Sequence, residues 1–351
     1  MARSDPPERG SWGRRAGPIL LVLAAGLGAA LTGRGLGLAA PPLDTGATSR
    51  ASSWHVLVAD RAEPALYAPR GIAVDGQGRV HVLDQGDHRV KVFSSHGQLR
   101  AVWGTDTAGP LHMQDPDAIA VDRQGMVYVA DSGILKLSPT GRVLARWGGH
   151  GEPPNPVALA VGGRGNLFLL IRGTWGTNGG CGTSRVVKLS SRVLKLSPSG
   201  VVVARWGPRI GNIRVSQPSG VVVDGRGNIY LAGDFYRRDS AGSASEECVE
   251  KLSPAGAPLA SWGRRQFGVA AWQTGPGCGG QIAVDSRGNV YTEFIGVAAT
   301  SATGKPLGRW DVAGQAPGQF SGLTSIAIDA RDNLYAADPG NYRIQKLSVA
   351  H

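Results

Sequence analysis

The sequence has few charged residues and few cysteines, and both shortages limit the classes of fold and of site that it can form. Charged residues make up 18% of the chain, whereas glycine (53 residues) and proline (22 residues) are abundant. This composition is too apolar for a disordered chain and is typical of many short strands joined by tight turns. With 351 residues, the chain has the length of one large all-β domain or of two smaller domains.

The three cysteines are Cys181, Cys248 and Cys278. In an oxidising compartment they allow one disulfide and leave one thiol over, and the sequence does not choose among the pairings. No C-x-x-C spacing occurs and no histidine lies close to any of the three, so they make a poor metal site. We also find no credible G-x-S-x-G, P-loop or dinucleotide motif, because the glycines fall in turns between predicted strands and lead into no helix.

The positive charge is spread along the chain rather than concentrated. The net charge is +11, of which the first forty residues contribute +3 and the remaining chain +8. A basic surface attracts phosphates, anionic lipids or acidic polymers, but these arginines are scattered through predicted turns. We therefore expect a solvated surface and no nucleic-acid partner.

The N-terminus has the pattern of an export signal. Arg14 and Arg15 precede an uninterrupted small and apolar stretch, residues 18–32. This stretch is short for crossing a hydrocarbon core of about 30 Å. We predict that residues 1–40 are a cleaved export signal or, alternatively, an uncleaved anchor, and that residues 41–351 form the exported domain. The protein is then periplasmic, extracellular or anchored outward, and this segment is its one expected membrane contact.

One apolar pattern recurs six times and indicates the fold. Each copy is a short, nearly all-apolar run of the kind expected for a strand buried on both faces. The six runs are residues 71–75, 118–122, 158–162, 220–224, 281–285 and 325–329. Most are followed by Asp-x-x-Gly, in which the aspartate caps backbone N–H groups of a type I turn and the glycine relaxes the exit. The pattern is typical of an internal structural repeat.

Three further strands follow each of these turns. A second strand comes directly after the turn, as at residues 80–82 and 229–231, and a third strand follows, as at 90–93 and 249–252. Ser-Pro-x-Gly turns come next in several units, and their proline presets the backbone angle. The fourth strand ends in a tryptophan six residues beyond the turn glycine in five units: Trp103, Trp147, Trp206, Trp262 and Trp310.

These units predict an all-β fold, a six-bladed β-propeller of four-stranded antiparallel blades. A four-stranded unit at this pitch cannot bury both faces alone, whereas radial packing against neighbours leaves only short edges exposed. The sixth unit ends after its third strand, at residues 347–348. A spare strand, residues 48–54, carries a sixth tryptophan, Trp54, ahead of the first unit. We expect this N-terminal strand to complete the last blade and close the ring.

The repeat resembles the NHL repeat. The shared features are the apolar run ending in aspartate, the aromatic second strand and the Asp-x-Gly-Asn-x-Arg loop, which is fullest at residues 338–343 and 84–89. The resemblance extends from about residue 46 to the end of the chain, although units three and four replace the loop with long insertions. It implies a propeller fold, and the functions of such proteins range from interaction domains and sensor ectodomains to enzymes.

The two insertions, residues 171–184 and 233–247, are the candidate binding loops, because long loops on a rigid scaffold commonly carry binding. We predict that they recognise a protein or glycan partner, and the alternative is loops of permissive composition without a ligand. The predicted ligand-binding residues are aromatic and arginine side chains: Arg172, Trp175, Phe235, Tyr236, Arg237 and Arg238. The first insertion runs into two near-copies, residues 184–190 and 191–197. We expect the second copy, which adjoins the Ser-Pro-x-Gly turn, to be the third strand.

Three aspartates, Asp84, Asp131 and Asp338, occupy the same repeat position in consecutive units around the ring. Three carboxylates on one rim could hold a calcium ion. The alternative is that each caps its own loop or pairs with the arginine five residues on, Arg89 or Arg343. Because local pairing explains two of the three, we expect no cofactor and retain calcium as the alternative.

Two enzyme models of related fold fit the sequence poorly. Amidating lyases hold zinc with histidines from several blades, but six of the seven histidines here precede unit three: His55, His81, His88, His96, His112 and His150. Lactonase-like propellers place metal ligands at the starts of the inner strands, which here are nearly bare of ligands: Gly71, Ala118, Ala158, Gly220, Gln281 and Ser325. Glu293 is an unusual acid inside a second strand, and we expect it to be paired within the blade packing.

The sequence thus predicts an exported binding or scaffold propeller, more consistent with a binding protein than with an enzyme. The alternative is a metal-assisted hydrolase or lyase of the same fold. The third hypothesis is nucleic-acid binding through a basic face, which export argues against.

Overall fold

The computed structural model describes residues 53–59, 65–104, 111–148, 156–172, 175–178, 185–188, 191–238, 244–263, 267, 280–293, 296–310 and 312–348. The predicted export segment, residues 1–40, lies outside this part of the chain. Within the described ranges, no helix is long and apolar enough to span a membrane.

The described strands form six antiparallel blades, which confirms the predicted all-β, six-bladed propeller. Blade 1 contains β2 (Pro69–Val74), β3 (Val80–Asp84), β4 (Arg89–Phe93) and β5 (Leu99–Trp103), and blade 2 contains β6 (Ala118–Val121), β7 (Val127–Ala130), β8 (Ile134–Leu137) and β9 (Val143–Trp147). Blade 3 contains β10 (Ala158–Val161), β11 (Leu167–Ile171), β14 (Arg192–Leu196) and β15 (Val202–Trp206).

Blade 4 contains β17 (Ile213–Val223), β18 (Ile229–Arg238), β19 (Ala244–Leu252) and β20 (Pro258–Trp262), with β16 (Arg209–Ile210) as a short fifth strand at its edge. Blade 5 contains β21 (Ile282–Val284), β22 (Val290–Glu293), β23 (Val297–Thr300) and β24 (Pro306–Trp310). Blade 6 contains β25 (Ser325–Ile328), β26 (Leu334–Asp338), β27 (Arg343–Ser348) and β1 (Ser53–Ala59). Single 3₁₀ turns lie at Gln85–Asp87 and Pro339–Asn341.

The apolar residues are buried between blades rather than inside them. The first strands contact one another in ring order, β2, β6, β10, β17, β21, β25 and back to β2. Six buried clusters each combine residues of two adjacent blades, such as Leu83 and Val90 of blade 1 with Val129 and Leu135 of blade 2. This arrangement explains why the first strands are apolar on both faces.

The ring is closed as predicted, by pairing the N-terminal strand β1 with β27. The register of that strand differs from the prediction, because β1 spans Ser53–Ala59 and Trp54 lies at its start, opposite Leu347. In blade 1 the tryptophan that ends the fourth strand lies opposite the start of the third strand. In blade 6 the equivalent position, opposite Ile344, belongs to the buried Val58.

Trp54 has a different packing role from the five outer-strand tryptophans. Its ring meets Trp310 and Phe320 edge to face, with ring centroids 6.0 Å and 5.2 Å apart. Trp310 belongs to blade 5, so Trp54 joins blade 6 to the blade before it. The sixth tryptophan therefore contributes to closure through aromatic packing rather than through the repeat position.

The outer-strand tryptophans clamp neighbouring blades together. Trp103 of blade 1 lies against Gly141 in the third-to-fourth-strand turn of blade 2, and Trp147 of blade 2 lies in the same way against Gly200 of blade 3. A Cβ atom at either glycine would be 2.5–2.6 Å from the indole ring. Both glycines also have left-handed backbones, with φ of +84° and +87°. Both positions therefore need glycine for two reasons: the left-handed backbone of the turn and the close approach of the indole ring.

Both insertions fold into hairpins. In blade 3, β12 (Trp175–Asn178) pairs with β13 (Arg185–Lys188), so the first of the two near-copies belongs to the insertion. The second copy supplies β14, which pairs with β11 as the third strand of the blade. The prediction from the position of the Ser-Pro-x-Gly turn is therefore confirmed.

We predict that Gly200→Ala destabilises the propeller more than Gly322→Ala does. Both glycines have positive φ (+87° and +73°), so alanine at either position costs about 1–2 kcal/mol in backbone strain. At residue 200 alone the new Cβ meets an indole ring, and such overpacking adds about 1–3 kcal/mol. Denaturant unfolding measures the difference.

The control is Gly225→Ala, because a Cβ there meets nothing within 4 Å and its φ is not left-handed. This variant should unfold like the wild type. Equal losses for the residue 200 and residue 322 variants would contradict the clamp.

Candidate functional site

A channel of about 660 Å³ runs through the centre of the ring. The first strands form its wall with apolar side chains such as Ile119, Val221, Ile282 and Ile326. Most charged residues in the lining lie before or after the first strands, at the two ends of the channel.

At the end where the first strands finish, an aspartate follows the strand in five of the six blades, and its carboxylate is bonded within its own turn. Asp329 accepts hydrogen bonds from the backbone N–H groups of Arg331 and Asn333, both at 2.9 Å, and from the Tyr335 hydroxyl at 3.0 Å. The same arrangement recurs at Asp122, Asp224 and Asp285. These carboxylates stabilise their own turns.

Two blades vary this turn in an informative way. In blade 3 both partners are missing together, since Gly162 stands at the aspartate position and Phe168 at the tyrosine position. In blade 1 the buried His81 replaces tyrosine, and its Nε2 lies 3.2 Å from Asp75 Oδ2. Burial alone would raise the pKa of Asp75, but hydrogen bonds from His81 and Arg79 lower it overall. His81 is therefore a structural residue of the turn.

The opposite end, where the first strands begin, is the channel mouth, with Arg70, Asp117 and Gln281 in its lining. Arg70 Nε lies 3.1 Å from Asp117 Oδ1, joining blades 1 and 2. Burial raises the pKa of Asp117, helped by Asp115 and opposed by Arg70 and by Arg172 of blade 3. Sequence reasoning missed Arg70 and Asp117, although each immediately precedes an apolar run.

Glu293 is a carboxyl group at a position that is apolar in the other five blades: Leu83, Ala130, Leu170, Ala232 and Ala337. Its Oε2 accepts a hydrogen bond of 3.2 Å from the backbone N–H of Gln281, the residue before β21 at the channel mouth. Ser219 of blade 4 adds a further polar group, because its hydroxyl lies 2.9 Å from both the nitrogen and the oxygen of Gly280. Burial raises the pKa of Glu293 to about 7, against the lowering effect of the Gln281 hydrogen bond. The expected pairing within the blade is confirmed as a backbone hydrogen bond.

Two predicted binding residues, Phe235 and Tyr236, lie on opposite faces of the blade 4 hairpin. Phe235 is fully buried among Ile210, Ile213 and Val215, so it supports the hairpin from within and is not on the surface where we predicted it. Tyr236 is 41% exposed. Arg172 is exposed and lowers the pKa of Asp117 through its charge, whereas the side chains of Trp175, Arg237 and Arg238 lie outside the described part.

The three aspartates considered for calcium are each engaged within their own blade. Asp84 Oδ1 accepts from the backbone N–H of Tyr67 (2.7 Å), Asp131 Oδ1 from that of Gln114 (2.9 Å), and Asp338 Oδ1 from that of Ser321 (2.7 Å). Each carboxylate thereby ties the segment entering its blade to the end of the second strand. This is the local capping that we set against the calcium hypothesis.

The expected arginine pairing holds in one blade and differs in another. Arg343 Nε bonds Asp338 Oδ2 at 2.8 Å, as expected. In blade 1 the cation on Asp84 is Lys91, at 2.5 Å, rather than Arg89. Burial alone would lower the pKa of Lys91, but Asp84 and Asp87 raise it.

No group of three or more His, Cys, Asp or Glu side chains that could hold a metal occurs among the residues that the structure describes. The calcium hypothesis therefore gains no support from the positions of the three aspartates. Cys248 is buried and disulfide-bonded, in keeping with one disulfide among the three cysteines. Cys181 and Cys278 lie outside the described ranges.

Comparison with known proteins agrees with this architecture. The NHL repeat model matches residues 66–93. A streptogramin B lyase structure superposes with a TM-score of 0.53 at 12% identity, covering 85% of this chain and 98% of the lyase. A gluconolactonase from Xanthomonas campestris gives 0.52 at 16% identity, covering 86% and 96%. A catalytically inactive virginiamycin B lyase from Staphylococcus aureus, solved with quinupristin, gives 0.52 at 11% identity, covering 85% and 100%.

No protein of curated function matches the sequence. At these identities the structural likeness extends to the fold and not to the activity. The chain is a six-bladed β-propeller that carries an NHL repeat in its first blade.

We predict that Glu293→Gln makes the protein more stable above pH 7 and changes its pH dependence. With its pKa raised from the usual 4.5 to about 7, Glu293 stays protonated in the fold while the unfolded chain loses the proton. The fold therefore loses stability as pH rises from 4.5 to 7, by up to about 3 kcal/mol. Unfolding at pH 5 and pH 8 measures this, with Gln77→Ala as a control at an exposed residue that carries no titrating group. Identical pH profiles for Glu293→Gln and the wild type would contradict the prediction.

Proposed function

We propose that this chain is an exported propeller that binds a protein or glycan partner through the hairpin face, defined here as the hairpins β12–β13 and β18–β19. The observation that carries the proposal is that two neighbouring blades extend their second-to-third-strand connections into hairpins. Phe235 fixes the blade 4 hairpin to the core and leaves Tyr236 exposed beside it. A rigidly held, exposed aromatic side chain is a typical anchor of a binding surface.

Export is part of this proposal and rests on two observations. Arg14 and Arg15 followed by the apolar residues 18–32 fit a signal segment. The disulfide at Cys248 fits an oxidising compartment. The protein then acts in the periplasm, outside the cell or on an outward-facing anchor. N-terminal sequencing of the exported protein should give a start near residue 40, and a protein retained whole in the cytoplasm would contradict export.

The binding proposal is tested by trimming the blade 4 hairpin. Replacing residues 236–246 with Asn-Gly keeps the Phe235–Glu247 pair and closes it with a two-residue turn. We expect the wild type to retain a partner from envelope extract or on a glycan array, and the trimmed protein to lose most of that binding. The thermal unfolding of both proteins should be similar, because the deleted residues extend beyond the blade.

The control is Leu144→Asn, which changes an exposed apolar residue on the outer strand of blade 2. This variant should bind like the wild type. If the trimmed protein still binds the partner, or if the control loses as much binding, the proposal that the hairpin face binds the partner is wrong.

A second candidate function is acid–base catalysis by Glu293, whose carboxyl group accepts a hydrogen bond from the backbone of Gln281 in the channel lining. A carboxyl group with a pKa of about 7 can give or take a proton at neutral pH. This observation supports the hydrolase or lyase alternative. A screen of lactones and esters tests it, since general acid or base catalysis supplies about 10²–10⁴-fold and Glu293→Gln should lose that factor. Absent turnover, or equal turnover by the variant, would exclude this role.

A further inference from the structure

The blade 4 sheet extends beyond the blade as a platform with two different faces. On one face Ile210, Ile213, Val215 and Phe235 are buried in the core cluster shared with blade 3. The alternating residues on the other face are exposed: Arg209, Arg214 and Tyr236. Because side chains alternate along a strand, these three share the outer face of the platform.

The register places the three side chains in one row across three strands. Arg209 of β16 pairs with Arg214 of β17, and Arg214 pairs with Tyr236 of β18. Residues paired in this way have Cβ atoms about 4.5–5.5 Å apart. By register the row continues to Glu246 of β19, so it runs from two basic positions past an aromatic one to an acidic one.

Two like charges directly opposite each other destabilise a sheet. The side chains of Arg209 and Arg214 have no hydrogen bond or ion pair within the described part of the chain to offset this repulsion. Cations elsewhere in the ring lie over aromatic rings, as Lys251 does, with its Nζ 5.0 Å from the centre of the Tyr230 ring. Repulsion between the two arginines thus destabilises this part of the sheet. A bound anion would offset the repulsion, because guanidinium groups bind carboxylates in bidentate pairs.

We propose that the Arg209–Arg214–Tyr236 row binds an acidic carbohydrate, with a carboxylate between the two guanidinium groups and a sugar ring against Tyr236. This inference rests on the proposed function, because Tyr236 belongs to the hairpin face and the two arginines lie beside it on the adjoining strands of blade 4. Tyr236 offers an apolar ring with a polar tip, which suits a sugar that has one apolar face and many hydroxyls.

An acidic peptide would use the same charges, but the geometry favours the carbohydrate. A peptide that binds by strand addition needs an open sheet edge. The edge beside the two arginines is β16, which has only two residues and therefore offers almost no ladder. A ligand that contacts both arginines and Tyr236 must lie on the face of the platform and cross the strands along the row.

The test is calorimetric titration of the full chain with oligomers of polygalacturonate. We expect saturable binding that weakens with salt, and no binding of the fully methyl-esterified polymer, which lacks the charge. Arg214→Gln and Arg209→Gln should each weaken binding roughly tenfold or more, and Tyr236→Ala should weaken it by a similar factor. The matched control, Arg142→Gln, removes one exposed charge on blade 2 and should bind like the wild type.

Three binding results would overturn the proposal: no binding of polygalacturonate, equal weakening by Arg142→Gln, or equally tight binding of poly-glutamate to the same residues. Arg214→Gln should unfold no earlier than the wild type, because it relieves the repulsion with Arg209, and earlier unfolding would assign the pair a structural role instead. If the trimmed hairpin still abolishes capture of another partner while polygalacturonate does not bind, the proposed function stands and this inference falls.

Discussion

A four-stranded blade has two apolar faces, and the ring exists because each blade covers a face of the next. Every buried cluster spans two blades, and three outer-strand tryptophans, Trp103, Trp147 and Trp206, reach across such interfaces to a turn glycine of the following blade. This constraint fixes much of the sequence. The first strands must be apolar on both sides, the turns must contain glycine, and polar residues are left to the rims and the insertions.

The repeat made most of the fold predictable, because each strand and turn pattern occurs several times in the sequence. Six apolar runs, the Asp-x-x-Gly turns and the missing fourth strand of the last unit were enough to predict the blades and the closure. The register of β1 was not predictable by the same rule, since Val58 holds the tryptophan position and Trp54 packs elsewhere. A single exception to a repeat is decided by tertiary packing, which the repeat does not encode.

The site was less predictable for the same physical reason. Phe235 lies in an insertion, where no second copy in the sequence indicates which face of the hairpin is buried. The pairing of Arg209 with Arg214 needs the register of β16 and β17, and nothing in the spacing of the two residues shows it. Glu293 could be found in advance, because the other blades act as internal references and show that its position is normally apolar. Departures from a repeat are therefore the best guide to function in such a chain.

Closure by β1 and β27 also sets an order of events during synthesis. Roughly 280 residues separate the end of β1 at Ala59 from the start of β27 at Arg343. At about 5–20 residues per second, β1 exists for about 15–60 s before its partner has been made. During that interval it is an unpaired edge with apolar residues, which is the kind of segment that pairs with the wrong chain. Correct assembly of this ring therefore depends on β1 remaining unpaired until β27 has been made.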